Sequence, residues 1–355
     1  MRRLPELDGL RGLAILLVLV GHYLINVTQT IPGSVPAYTL ALGRLSWSGV
    51  DLFFVLSGFL IGGILLEARN SERYFSTFYA RRFFRIIPLY VVLIVGFLVF
   101  RFLDSEWLFG KPLPLWSYLT FTQNCQSALR GTLGANWLGV TWSLAVEEQF
   151  YLTLPLIIRY LRSHLLYVLI GIVVGATILR TILSFTLPHG EMAAYSLMPC
   201  RADALMLGVL LALFARKGIQ INYLRPLVIL LLLLMGLMTF KNWTIGTAPA
   251  SIWGYSVTAL FYTCLVSLVL QGTFSRIFRM SWLRWLGTIA YGIYLFHQPI
   301  QGLVHYVFFR HAPQMATFME FLANLFALLL TIGLSWLSWL YFEKPLVERG
   351  HSYRY

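Results

Sequence analysis

The chain has 355 residues, of which 58% are hydrophobic and only 12% charged; soluble domains carry about a quarter charged residues, so a water-soluble globular fold is excluded. Its net charge of +13 comes from basic residues scattered over short stretches, with no run and no aromatic interleaving, which argues against a nucleic-acid partner. The three cysteines, Cys125, Cys200 and Cys264, lie far apart without metal-ligand spacing, so no metal site or redox motif is expected.

Crossing about 30 Å of hydrocarbon takes roughly 20 apolar residues. Such stretches recur along the chain near residues 10–28, 46–66, 86–103, 143–158, 164–183, 202–215, 226–240, 252–271, 285–304 and 318–342. The first follows basic residues as a signal peptide would, but it lacks a small-residue cleavage site and holds ionisable residues, so a retained helix is expected. The second contains Gly49, Gly58, Gly62 and Gly63, which allow close helix approach. Before the third, Arg81, Arg82 and Arg85 in FYARRFFRIIPLY close an inner loop. The stretch 104–142 holds Pro112, Pro114 and several tryptophans and reads as an outer loop folded against the interface. The fourth and sixth spans are short. Cys125 and Cys200 both fall on the outer side, where a disulfide is conceivable. With the N-terminus inside, 19 of the 27 Lys and Arg residues fall on the inner segments and 8 on the outer, among them Arg180 and Arg201. This asymmetry fits the positive-inside rule. The expected fold is an all-α polytopic membrane protein of about ten transmembrane helices, both termini cytoplasmic, forming one domain over residues 1–355.

A charge at the bilayer centre costs at least a few kcal/mol, so ionisable residues within spans are functional candidates. His22 in the first span, Asp51 in the second, Glu147 and Glu148 in the fourth, Arg201 and Asp203 in the sixth and His297 in the ninth fall at comparable depths near the outer surface. His164, His189, His305, His311 and His351 fall in loops or at ends and receive no role. From Arg11 to His22 the helix rises about 16 Å and returns to within about 20° of the same face. One face thus joins the inner mouth to the outer layer. Arg82 and Arg85, with Arg11, present guanidinium forks suited to phosphate. Their bland alternative is headgroup anchoring.

A histidine beside carboxylates can take a proton from an acceptor hydroxyl while Asp or Glu orients the imidazole. An arginine cluster at the other end implies an anionic donor. With no phosphate-cradling glycine loop, a coenzyme A thioester fits better than ATP.

Seven strings in order, LPELDGLRGLAILLVLVGHY, GVDLFFVLSGFLIGGILL, FYARRFFRIIPLY, TWSLAVEEQFYL, CRADALMLGVLLA, LGTIAYGIYLFHQPI and YFEKP, resemble the membrane acyltransferase-3 family, the OafA-type O-acyltransferases, over nearly the whole chain. The resemblance implies a ten-helix domain moving an acetyl group from cytosolic acyl-CoA to a hydroxyl of a glycan or lipid-linked saccharide. His22 is then the expected catalytic residue, supported by Glu147, Glu148 and Asp51. Arg11, Arg82 and Arg85 would bind the donor, and Ser143, Tyr151, Arg201, Asp203 and His297 would support the acceptor side. No tightly bound cofactor is expected; acetyl-CoA is a substrate. Members with an appended SGNH-type esterase domain are longer, and direct transfer is the more economical expectation without one. The expected setting is a bacterial inner membrane, and the expected acceptor a surface or exported glycan such as lipopolysaccharide O-antigen. The alternatives are a secreted small-molecule acceptor such as a macrolide, a succinyl-CoA donor, or a proton-coupled transporter or flippase.

Overall fold

The computed structural model describes residues 4–28, 43–103, 106–219, 224–243 and 245–355. Arg2 and Arg3 of the charge tally lie outside them. Ten long helices coincide with the ten expected spans: α1 (Pro5–Val20), α2 (Gly49–Ala68), α3 (Tyr74–Phe100), α4 (Thr141–Tyr160), α5 (Leu165–Thr186), α6 (Met198–Arg216), α7 (Leu224–Phe240), α8 (Tyr255–Leu270), α9 (Ala290–Phe309) and α10 (Phe318–Ser338). Among the described residues there is no strand. Seven helical stretches are long and apolar enough to cross a membrane: Pro5–Ile25, Arg44–Ala68, Tyr74–Leu103, Leu165–Thr186, Gly190–Arg216, Ala250–Leu270 and Phe318–His351. The protein is an all-α polytopic membrane protein. Of the remaining three, α7 is short, and α4 and α9 carry the polar side chains that line the interior.

Exposed apolar stripes mark the lipid-facing sides. On α5, Ile170, Val174, Ile178 and Ile182 repeat every four residues, and on α3 Val91, Val95, Leu98 and Val99 share a face. Polar groups point the other way, toward the bundle interior.

Helix contact is set by small residues. A side chain on Gly58 of α2 would run into the backbone of Leu205 and Gly208 on α6, and one on Gly208 into Val55 and Phe59. Gly49 and Gly62 lie equally close to α1 and α6. In lipid no hydrophobic drive holds helices together, so such backbone approach is the source of affinity. Gly58→Leu is therefore expected to destabilise the bundle by at least about 1–3 kcal/mol, read as a lower melting temperature in detergent.

Several expectations are corrected. The third helix starts at Tyr74, so Arg81, Arg82 and Arg85 lie within α3 and not in a loop. The ninth span is broken at Ile289 into Ser281–Thr288 and α9. His305 is not at a loop but fully buried in α9. The segment 106–139 forms short helices that pack inward: Trp137 is buried and donates to the Leu93 carbonyl oxygen at 3.2 Å. The three cysteines are free.

Candidate active site

The helix α1 does not end regularly. It passes into a π-helical turn, Gly21–Ile25, that carries His22; such turns often mark functional positions. His22 Nδ1 lies 3.0 Å from the Val18 carbonyl oxygen. A carbonyl only accepts, so Nδ1 of the neutral ring carries the hydrogen and Nε2 keeps its lone pair. The backbone oxygen of His22 accepts from Gln301 Nε2 at 3.0 Å, and Gln301 is in turn bonded to Asn324 at 2.9 Å. Neighbouring Tyr23 donates to the His297 carbonyl oxygen at 2.9 Å and meets Thr331 at 2.8 Å. The π turn is thus clamped to α9 and α10.

The ring beside His22 is that of His297, with centroids 4.8 Å apart, edge to face. His297 Nδ1 donates to the carbonyls of Ile293 and Tyr294 at 3.1 and 2.8 Å. Its Nε2 is buried without a hydrogen-bond partner among the described residues. Two imidazoles therefore stand together, each held through Nδ1.

The expected carboxylate neighbours are elsewhere. Asp51 forms a fully buried ion pair with Arg201, whose guanidinium lies 4.1 Å over the Tyr255 ring. Asp203 is bonded to Arg180 at 2.8 Å, both buried. Arg180 also donates to the carbonyl of Ser251 at 2.9 Å. It and Arg201 are buried within the bundle. Which helix carries each polar residue was legible, but rotation about the helix axis was not. Asp51 turns toward α6.

Glu147 faces another group. With Arg11, Arg82, Arg85, Ser57 and Tyr151 it lines a cavity of about 140 Å³. Tyr151 and Ser57 hydroxyls are 2.9 Å apart, and Arg82 lies 6.0 Å over the Tyr151 ring. Arg82 and Arg85, three apart on α3, share this face. Arg81, one residue away, turns off to the Tyr353 carbonyl oxygen at 2.7 Å. Glu148 lies near Glu147 and Arg82, with one carboxylate oxygen buried and unbonded among the described residues. Arg11 meets Asp8 at 3.3 Å.

His22 lines a second cavity, of about 520 Å³, with Asn26, Arg44, Ser46, Trp47 and Tyr195. Val50 borders both cavities. A smaller cavity rich in arginine and a larger one holding His22 thus share one lining residue near the start of α2.

Beside His297, which the sequence singled out, one stripe of α9 carries Tyr291, Tyr294 and Gln301, which sequence reasoning passed over, and His305, to which it gave no role. Their spacing of three or four was the available signal. Tyr291 donates to the Ile86 carbonyl at 2.8 Å, and Tyr294 meets Ser143 at 2.5 Å. Glu343 of the YFEKP string is buried and accepts from Ser338 at 2.9 Å.

Residues 4–340 match the acyltransferase domain of the acyltransferase-3 family. The chain is 28% identical to the peptidoglycan O-acetyltransferase OatA of Listeria monocytogenes, over 83% of this chain and 49% of that protein. It is 28% identical to the putative peptidoglycan O-acetyltransferase YrhL of Bacillus subtilis, over 98% and 56%. A putative O-acetyltransferase of Staphylococcus aureus is 25% identical over 99% and 58%. The chain thus spans about half the length of the curated relatives it matches. No solved structure matches.

Proposed function

From the premise that this integral membrane chain belongs to the acyltransferase-3 family, we propose that it moves an acetyl group from cytosolic acetyl-CoA to a hydroxyl of a bacterial cell-surface glycan. The observation that carries the proposal is the pair of cavities that share Val50 as a lining residue, one bearing three guanidiniums and the other His22, whose Nε2 has no hydrogen bond among the described residues. On this reading the chain crosses a bacterial inner membrane ten times with both termini cytoplasmic, and the arginine cavity opens to the cytosol.

In this mechanism Arg82, Arg85 and Arg11 hold the donor's phosphates, and the narrow slot admits its linear arm. Glu147, Glu148 and Tyr151 keep the guanidiniums in place. The acceptor enters the wider chamber, whose Trp47 and Tyr195 offer flat faces to a sugar ring. His22 Nε2 takes the hydroxyl proton, the oxygen attacks the thioester carbon, the carbon–sulfur bond breaks, and the proton passes to the departing thiolate. Val18 oxygen stabilises the imidazolium in place of a carboxylate, and His297 fixes the ring's position. The buried pairs Asp51–Arg201 and Asp203–Arg180 support the chamber wall through Tyr255, which packs on Trp47 at 5.6 Å.

Peptidoglycan is the first acceptor to test, since two of the relatives carry that name. Protein reconstituted in lipid nanodiscs with acetyl-CoA and peptidoglycan oligosaccharides is expected to release CoA thiol and add one acetyl mass per transfer. Absence of both, with other glycans also unmodified, would refute the proposal. Arg82→Ala is expected to remove charge-assisted bonds of about 1.5–3 kcal/mol. That raises KM for acetyl-CoA by about ten- to a hundredfold with a smaller change in kcat, as initial-rate kinetics would read.

A further inference from the structure

Two hydroxyls that line the arginine cavity have no role in the mechanism above. Ser143 on the first turn of α4 and Tyr294 on α9 are 2.5 Å apart, and each lies 3.1 Å from the Val140 carbonyl oxygen. Both residues line the arginine cavity. The Tyr294 ring is packed edge to face on Phe53 at 6.1 Å and stands 5.9 Å from the ring of His297, which touches His22.

The proton count of this cluster is informative. Two hydroxyls bring two hydrogens, and the Val140 oxygen needs only one donor. When Ser143 donates to Val140, a local bond that a serine makes readily to the backbone of its own turn, the Tyr294 hydrogen goes to Ser143 Oγ. That bond can be exchanged for one to an arriving acceptor without leaving the Val140 oxygen buried and unpaired. A tyrosine with a transferable hydrogen, its ring packed beside Phe53 and His297, thus lines the donor cavity one ring away from His22.

We propose that Tyr294 is a catalytic residue that donates its hydroxyl hydrogen bond to the acyl carbonyl oxygen of the thioester. The inference rests on the acyl-transfer function proposed above. As the acceptor oxygen bonds to the thioester carbon, the carbonyl π electrons move onto oxygen, and Tyr294 binds the oxyanion. When the carbonyl re-forms, the carbon–sulfur bond breaks, and the thiolate takes the proton held on His22. Tyr294 keeps its own proton throughout. A donor already aimed at developing charge is worth about 10²–10³-fold in rate. Ser143 positions Tyr294 by relieving it of Val140.

The test is Tyr294→Phe, which removes one oxygen and keeps the ring packing. The kcat with acetyl-CoA is expected to fall about 10²-fold, with KM for acetyl-CoA within about threefold. Infrared difference spectra of bound acetyl-CoA labelled with ¹³C at the carbonyl supply a readout that a purely structural role leaves unmoved. The stretch is expected below its solution frequency in the wild type and back near that frequency in Tyr294→Phe. Ser143→Ala, which returns Tyr294 to the Val140 oxygen for part of the time, is expected to lie between the two in both measurements. A Tyr294→Phe protein with wild-type kcat and wild-type carbonyl frequency overturns the assignment. A wild-type protein that binds acetyl-CoA but transfers to no acceptor instead overturns the acyl-transfer function itself.

Discussion

Replacing His22 by alanine is expected to lower acetyl transfer by about 10²–10⁴-fold, the usual contribution of a positioned general base. The ring is oriented by its Nδ1 bond to Val18 and by a π turn that Gln301 fastens to α9. Alanine removes the base with its Nδ1 bond and leaves the Gln301 bond to the backbone oxygen in place, so protein yield and melting temperature should change little. Mass spectrometry of glycan acetyl esters, beside CoA release from purified protein, reads the effect. Equal acetylation at equal protein level would remove His22 from the mechanism. His22→Gln adds a sharper control, since its amide can replace a hydrogen bond but cannot accept the proton.

Loss of one partner from the Asp51–Arg201 pair is expected to destabilise the protein by about 3–5 kcal/mol, because an uncompensated charge would remain in the bundle interior. Arg201→Met leaves the Asp51 carboxylate without its partner and withdraws the cation from the Tyr255 ring. The double variant Asp51→Leu, Arg201→Met should recover much of the loss, because an apolar pair of similar volume often matches a buried ion pair. Cys200 and Cys264 are buried and free, so a thiol-reactive dye reports the unfolding temperature directly. If the single variant melts as the wild type does, Asp51 and Arg201 carry no structural load.

The contrast between these two sites shows what was legible. The facial relation of Arg11 to His22 follows from helix geometry alone, and both line the cavities as that relation implies. Arg82 and Arg85 were found by residue type and spacing, although α3 begins earlier than hydropathy indicated, since aromatic and arginine residues extend it toward Tyr74. The partners were not found. Glu147 and His22 fall at similar depths by residue counting, yet Glu147 faces the arginines and His22 faces His297.

The sequence by itself determined the membrane class, the long helices and the polar residues among them. Each of these depends on a one-dimensional quantity, the hydropathy or the rise per residue. Only the tertiary structure decided which way each helix turns, because rotation is set by contacts such as Gly58 against Leu205 and Gly208 against Val55. That rotation divides one expected layer of charges into an arginine slot, a buried ionic frame and a pair of imidazoles. It also brings Tyr294, an ordinary tyrosine in the sequence, into the arginine cavity beside His297.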